Sequence, residues 1–124
     1  MVVDTSILLS VYFDEEHGAW AAAQLKNHAG DLLMSTVNLT ETLIRIRDQQ
    51  PDDADEIEGT LLTSGIEFVP PTVQQAKVAA NARIRLPLNL GDCFAYALAL
   101  ERECALLTLD RDFRAAKDIL VILP

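Results

Sequence analysis

Asp4, Glu41, Asp92 and Asp110, with Asp112 close behind, are the residues of this chain best suited to chemistry. They occur in VVD (2–4), NLTE (38–41), NLGD (89–92) and LDRDF (109–113), at the ends of apolar runs or in the first turn of predicted helices. Two carboxylates about 4 Å apart repel by roughly 4 kcal/mol at an effective dielectric of about 20. A cluster of them therefore holds a proton through a raised pKa or recruits a cation. Only oxygen ligands are on offer, because His17 and His28 lie far from these acids in sequence. Hard oxygen donors suit Mg²⁺, with Mn²⁺ as a substitute, rather than zinc. Such an ion lowers the pKa of bound water, polarises a phosphoryl oxygen and neutralises charge on a leaving oxygen. That is the equipment for hydrolysing a phosphodiester.

Each acid also has a plainer reading. Asn followed three residues later by an acid fits a capping box, and an acid in a first turn suits the helix dipole, worth about 0.3–1 kcal/mol. Asp4 would be an N-cap after a strand, and the acids of LDRDF would begin a short helix. The surroundings favour a shared site instead. On a helix Glu41 lies over Val37 and Ile44, and Asp92 shares its stripe with Ala95, Tyr96 and Ala99. Both acids thus border an apolar face, where a simple dipole partner would more often meet water.

The elements that must position these acids alternate. VVD predicts a buried strand, followed by the helix ILLSVYF with Thr5 or Ser6 as its cap. Residues 16–28 predict a second helix, DLLMS (31–35) a strand, and residues 38–49 a helix stopped before Pro51. An exposed helix over 52–63, a strand IEFV (66–69) and an alanine-rich helix over 73–85 come next. NLGDCFAYALAL opens a buried helix ending near Glu103. ALLTL (105–109) and ILVIL (119–123) are strands around a short helix near 112–117. Short apolar strands alternating with helices predict an α/β fold, a central parallel β-sheet covered on both faces. Ligands of such sheets bind beyond the carboxyl ends of the strands, where Asp4 and Asp110 fall.

The rest of the composition sets limits. With 124 residues, half of them hydrophobic, the expectation is a single folded domain over 1–124. No apolar run reaches the roughly 20 residues of a membrane span, and MVVDTSILLS lacks a signal peptide's basic start, so a cytoplasmic protein is expected. Cys93 and Cys104 read as small core residues, and Trp20 as a core or dimer-interface anchor. A net charge of −9 opposes general phosphate-backbone binding. A bound cation would reverse that locally, helped at the rim by Arg45, Arg47, Arg83, Arg85, Arg111 or Arg114; for any one of them an ordinary solvated surface is the simpler reading.

The order of MVVDTSILL, NLTE, NLGDCFAYALA and LLTLDRDF resembles the PIN-domain family, and more narrowly the VapC-type toxins of toxin–antitoxin pairs. The resemblance covers essentially the whole chain. It implies a three-layer α/β/α sandwich, a Mg²⁺-dependent endoribonuclease acting on RNA, a homodimer, and a VapB-type antitoxin that blocks the site. Carried over, Asp4, Glu41, Asp92 and Asp110 are the catalytic acids, with Asp4 and Asp92 the direct metal ligands. Either Asp110 or Asp112 fills the fourth place, and Asp110 is favoured because it follows the strand directly. Thr5, Ser6 and Thr108 stand beside these acids and would orient ligands or water, or else serve capping and turns.

Two rivals from other classes compete. A receiver-like phospho-signalling domain shares the length, the sheet and the acidic pocket, but would want paired acids after the first strand, where only Asp4 stands. A PIN-like fold that has lost catalysis would be a binding module; the presence of all the expected acids argues against it.

Overall fold

Alternation along five short strands builds two separate cores. In a computed structural model describing residues 1–124, the chain runs β1 (Val2–Val3), α1 (Thr5–Tyr12), α2 (Gly18–Asn27), β2 (Leu33–Ser35), α3 (Thr36–Gln49) and α4 (Ala54–Leu62). It continues through β3 (Glu67–Val69), α5 (Val73–Arg85), α6 (Leu90–Arg102), β4 (Leu106–Leu107), a 3-10 helix (Arg111–Ala115) and β5 (Val121–Ile122). Every strand pair is parallel, in the order β3-β2-β1-β4-β5.

Successive residues of a strand point to opposite faces. Val2, Leu106 and Val69 accordingly join a core with Ala79 and Ala82 of α5, and Tyr96 and Leu98 of α6. Their neighbours Val3, Leu107 and Met34 join the other core with Ile7 and Leu8 of α1, Ala21 of α2 and Leu61 of α4. This partition is the expected three-layer sandwich. It also explains why β1 and β4 read as unbroken apolar pairs, since central parallel strands are covered on both sides. Val11, Tyr12 and Trp20 pack half-buried against the second core. Cys93 is buried, Cys104 is half-buried, and both are free thiols. No helix is long and apolar enough to cross a membrane.

The strand order separates this fold from the receiver-like alternative. Flavodoxin-like receivers run 2-1-3-4-5, whereas here β1 lies between β2 and β4. The chain proceeds outward from β1 to β3 and then returns to the other side of β1. The carboxyl ends of β1 and β4 thus flank the topological switch point, where open α/β sheets bind ligands.

Three local expectations need correction. Strands expected over 105–109 and 119–123 form ladders only at Leu106–Leu107 and Val121–Ile122. Beyond Thr108 the amides turn to side chains: Leu109 N donates to Ser6 Oγ at 3.0 Å, and Asp110 N to Thr108 Oγ1 at 3.0 Å. Neither Thr5 nor Ser6 caps α1, because the helix starts at Thr5 and Asp4 takes the N-cap position without a capping side-chain bond. Finally, α3 begins at Thr36 rather than near 38, because Ser35 caps it by accepting from Val37 N at 3.2 Å. Glu41 therefore lies in the second turn of α3, not the first.

Candidate active site

Asp4 is the first residue past the carboxyl end of β1, and Thr108 holds the same place after β4. Parallel pairing of Val3 with Leu107 sets them side by side. The Asp4 carboxylate is 2 % exposed. Its Oδ2 accepts from Ser6 Oγ and from Thr108 Oγ1, each at 2.8 Å. Those hydroxyls are in turn oriented by the Leu109 and Asp110 amides. Its other oxygen, Oδ1, is buried and has no hydrogen-bond partner. Leaving a buried carboxylate oxygen unpaired costs roughly 1–3 kcal/mol or more, so a proton or a cation is wanted there. Burial raises the Asp4 pKa, the Ser6 and Thr108 hydroxyls oppose the rise, the charge of Glu41 adds to it, and the Thr5 amide opposes it to a smaller extent.

Glu41 reaches the site from α3. Its Oε1 accepts from Thr5 Oγ1 at 3.0 Å and from Asn38 Nδ2 at 2.9 Å. The same Asn38 amide donates to the Gly91 carbonyl at 3.0 Å, tying α3 to the start of α6. Gly91 leaves the necessary room: a Cβ there would occupy the place of the Glu41 carboxylate. Ile44, expected to share a buried stripe with Glu41, is instead 60 % exposed. The carboxylate is held by polar clamps rather than by an apolar wall.

Asp92 enters from the first turn of α6, where Asn89 and Asp92 form a reciprocal capping box. Asn89 Oδ1 accepts from Asp92 N at 2.8 Å, and the return bond from Asn89 N to Asp92 Oδ2 is long, at 3.4 Å. The pKa of Asp92 is pushed up to about 7, first by burial and then by the charges of Asp4 and Asp110, with Glu41 adding a smaller share. One carboxyl thus feels three others, so Asp4, Glu41, Asp92 and Asp110 converge. Capping and convergence are both true of Asp92.

Asp110 caps the 3-10 helix by accepting from Asp112 N at 2.9 Å. Asp112 itself is exposed, and its charge is absent from the causes of the Asp4 and Asp92 shifts. No group of three or more His, Cys, Asp or Glu side chains stands at metal-holding distance. The acids are gathered at one edge without closing into a cage. On chemistry they fit a hard cation: all donors are oxygens, one buried carboxylate oxygen is unpartnered, and crowding by the other acids raises the pKa of the central one to about 7.

Sequence reasoning missed Asn38 and Gly91. Asn38 was readable only as a cap. Gly91 did carry a signal, since glycine is a poor helix former in a first turn unless something needs the space. Among the candidate rim arginines, Arg47 is engaged with Glu58 at 2.7 Å. A larger hollow of about 450 Å³, lined by Ala99, Cys104, Ala105 and Ile119 among others, lies at the amino ends of β4 and β5, away from the acids.

Fold and site together define a parallel α/β protein with an acidic crevice at the switch point of its sheet. Residues 1–119 match the PIN domain family. Ribonuclease VapC28 of Mycobacterium tuberculosis is 34% identical over 123 aligned positions, covering 91% of each chain. Ribonuclease VapC30 of the same species is 34% identical over 134 aligned positions, covering 100% of both. Among solved structures, M. tuberculosis VapC20, described as a Sarcin-Ricin loop cleaving toxin, superposes with a TM-score of 0.83 at 17% identity, covering 99% of this chain and 98% of that one. A chain of VapBC2 from Rickettsia felis bound to a promoter DNA fragment gives 0.81 at 13% identity, with 98% and 96% covered. The chain belongs to the PIN domain family, in its VapC group.

Proposed function

We propose that this protein is a metal-dependent endoribonuclease and the toxin of a VapBC-type pair. The observation that carries the reading is the gathering of four carboxylates from separate elements at one sheet edge, around the buried Asp4 with its unpartnered Oδ1 and with Glu41 tied by hydrogen bonds to α1 and to the start of α6; the raised pKa of Asp92 accords with it. Asp4 and Asp92 would hold Mg²⁺ or Mn²⁺, Asp4 through its unpartnered Oδ1. When bound, the ion activates water and stabilises charge on the phosphoryl and leaving oxygens. Ser6 and Thr108 fix the Asp4 carboxylate by donating to Oδ2, which would keep it oriented as a ligand. Glu41 takes both of its hydrogen bonds on Oε1, which leaves Oε2 free to accept a proton from attacking water. Asp110 would complete the negative field, and its electrostatic effect on Asp92, which Asp112 does not share, supports it for the fourth place.

The relatives are named as ribonucleases, and RNA is the substrate proposed here. A VapB-type antitoxin is the proposed partner, supported by likeness to VapBC assemblies. A homodimer acting in the cytoplasm completes the proposal.

The test is calorimetric titration of Mg²⁺ and Mn²⁺ into the wild type and an Asp4→Asn/Asp92→Asn variant, followed by incubation of both with total RNA. The wild type should bind metal and cleave only with it, and the variant should lose both. Loss of cleavage should reach on the order of 10²–10³-fold or more. Wild-type protein that binds no metal at millimolar concentration would remove the basis of the assignment.

A further inference from the structure

A cleft of about 320 Å³ opens beside the acids, lined by Ser6, Leu9, Glu15, Arg45, Leu109 and Asp110. Its volume is at the lower end of ligand clefts, which span roughly 300–1,000 Å³. Ser6 and Asp110 belong to the site already described, so the cleft is continuous with it. Arg45 is its one cation. It follows Glu41 by four residues on α3, hence on the same face one turn further along.

This arginine is held but not neutralised. Its guanidinium lies 5.9 Å from the centroid of the Phe13 ring, within cation–π range. With the Gln49 amide turned so that its oxygen faces the guanidinium, that oxygen accepts from Arg45 Nη2 at 2.8 Å and Nε at 3.0 Å. The remaining N–H groups of the fork stay free for a planar or tetrahedral oxyanion. The single ion pair in the protein belongs to Arg47, two residues on. Arg45 is exposed and makes no direct ion pair, so its charge is available beside the acidic crevice, and on a protein of net charge −9 a phosphate strand would depend on such a local cation.

We propose that Arg45, seated on Phe13 and Gln49, is a phosphate-binding residue that holds the substrate RNA strand in the cleft beside Asp110. The proposal rests on the nuclease reading above and names the part of that site which grips the substrate. Half-buried Leu109 gives the cleft its apolar wall, with Leu9 buried behind it. Glu15, on the same cleft, repels a second phosphate, so the subsite takes one phosphodiester rather than a run of backbone.

The test is fluorescence anisotropy with a fluorescein-labelled, random-sequence single-stranded RNA in EDTA, repeated from 50 to 200 mM salt. The proteins are the wild type and its Arg45→Ala, Arg45→Lys and Arg47→Ala variants, with circular dichroism to confirm folding. Arg45→Ala should weaken binding about 5- to 10-fold and lower the slope of log K against log salt by about 0.7–1. Arg45→Lys should restore the slope, which counts charge, but only part of the affinity, which needs the fork. Arg47→Ala, already paired with Glu58, should match the wild type. Equal affinity and slope for Arg45→Ala and wild type would overturn the subsite while leaving the nuclease reading intact. An Arg45→Lys variant as weak and as flat in salt as Arg45→Ala would reduce Arg45 to a packing role. A wild type that neither binds this RNA nor cleaves total RNA with Mn²⁺ would defeat both readings together.

Discussion

Asn38-Leu39-Thr40-Glu41 and Asn89-Leu90-Gly91-Asp92 share one sequence form, yet α3 and α6 use it differently. At α6, Asn89 is the N-cap, and it exchanges hydrogen bonds with Asp92 in a capping box. At α3, Ser35 has already taken the cap, so the helix starts earlier and Asn38 falls inside it, fully buried. Its amide is then free to hold Glu41 and to reach the Gly91 carbonyl of the other stretch. The difference comes from what precedes each motif. Ser35 offers a short hydroxyl in extended backbone, an effective cap. Leu86-Pro87-Leu88 offers none, so Asn89 must serve. A four-residue pattern thus gains its meaning from the competition for the helix's first amides.

Breaking each stretch should therefore have a different consequence, and the largest belongs to the α3 stretch. Asn38→Ala removes a donor to Glu41 and the link to α6, and should lower metal affinity or cleavage about 10–100-fold, as loss of a ligand's supporting partner does. Because Asn38 is buried, Gly91→Ala is the cleaner companion. Its methyl would displace the Glu41 carboxylate, not backbone, and with it the bonds from Thr5 and Asn38, so cleavage should fall by a similar factor while the melting temperature drops by only a few degrees. Equal cleavage by Gly91→Ala and wild type would show that Glu41 need not occupy its clamped position.

The second consequence concerns Asp92 and pH. Its folded-state pKa of about 7 exceeds its ordinary value of 3.8, so between these values the folded state binds more protons than the unfolded state. The resulting stability is complete below about pH 4 and is lost as pH rises through 7. Asp4, also raised, acts in the same direction. Without metal, thermal melts should therefore fall from pH 5 to pH 8. Asp92→Asn should recover on the order of 2 kcal/mol at pH 8, allowing for screening at the cleft edge. That corresponds to roughly 5–10 °C. Millimolar Mg²⁺ should stabilise the wild type at pH 8 but not the variant, and metal affinity should rise with pH through 7 as protons cease to compete. A wild-type melt that stays flat with pH would mean that Asp92 is not crowded by its neighbours.

Much of this arrangement was legible before the fold was known. Asp4, Asp92 and Asp110 could be placed because strand ends and helix starts are marked by local runs of apolar residues, and a parallel sheet collects its strand ends at one edge. The helix over 73–85 was exact in its bounds because Thr72 caps it and no other candidate competes. What could not be read was contact between distant segments. The Asn38–Gly91 bond joins residues 53 positions apart, and the Ser6–Leu109 bond joins residues 103 apart. The early end of β4 also depends on such a long-range partner, since Ser6 takes the amide that would have continued the ladder. Local pattern places side chains along an element; which hydroxyl claims which amide is settled only when the sheet forms.

The smallest effect belongs to the cap of α6. Asn89 is exposed, and its side chain touches the Asp92 amide rather than the Asp92 carboxylate. Asn89→Ala should therefore cost about 0.5–2 kcal/mol of stability, read as a fall of a few degrees in the melting temperature, with Asn89→Ser restoring most of it. The bond from Asn89 N to Asp92 Oδ2 comes from the backbone and survives either substitution. Cleavage should consequently stay within a few-fold of wild type under conditions where the variant is folded. The pair Asn38→Ala and Asn89→Ala then separates the two uses of one motif: activity lost beyond stability in the first, stability lost with activity kept in the second. If Asn89→Ala instead lost cleavage as severely as Asn38→Ala, the cap would be setting the position of the Asp92 carboxylate, and both stretches would serve the site through their asparagines.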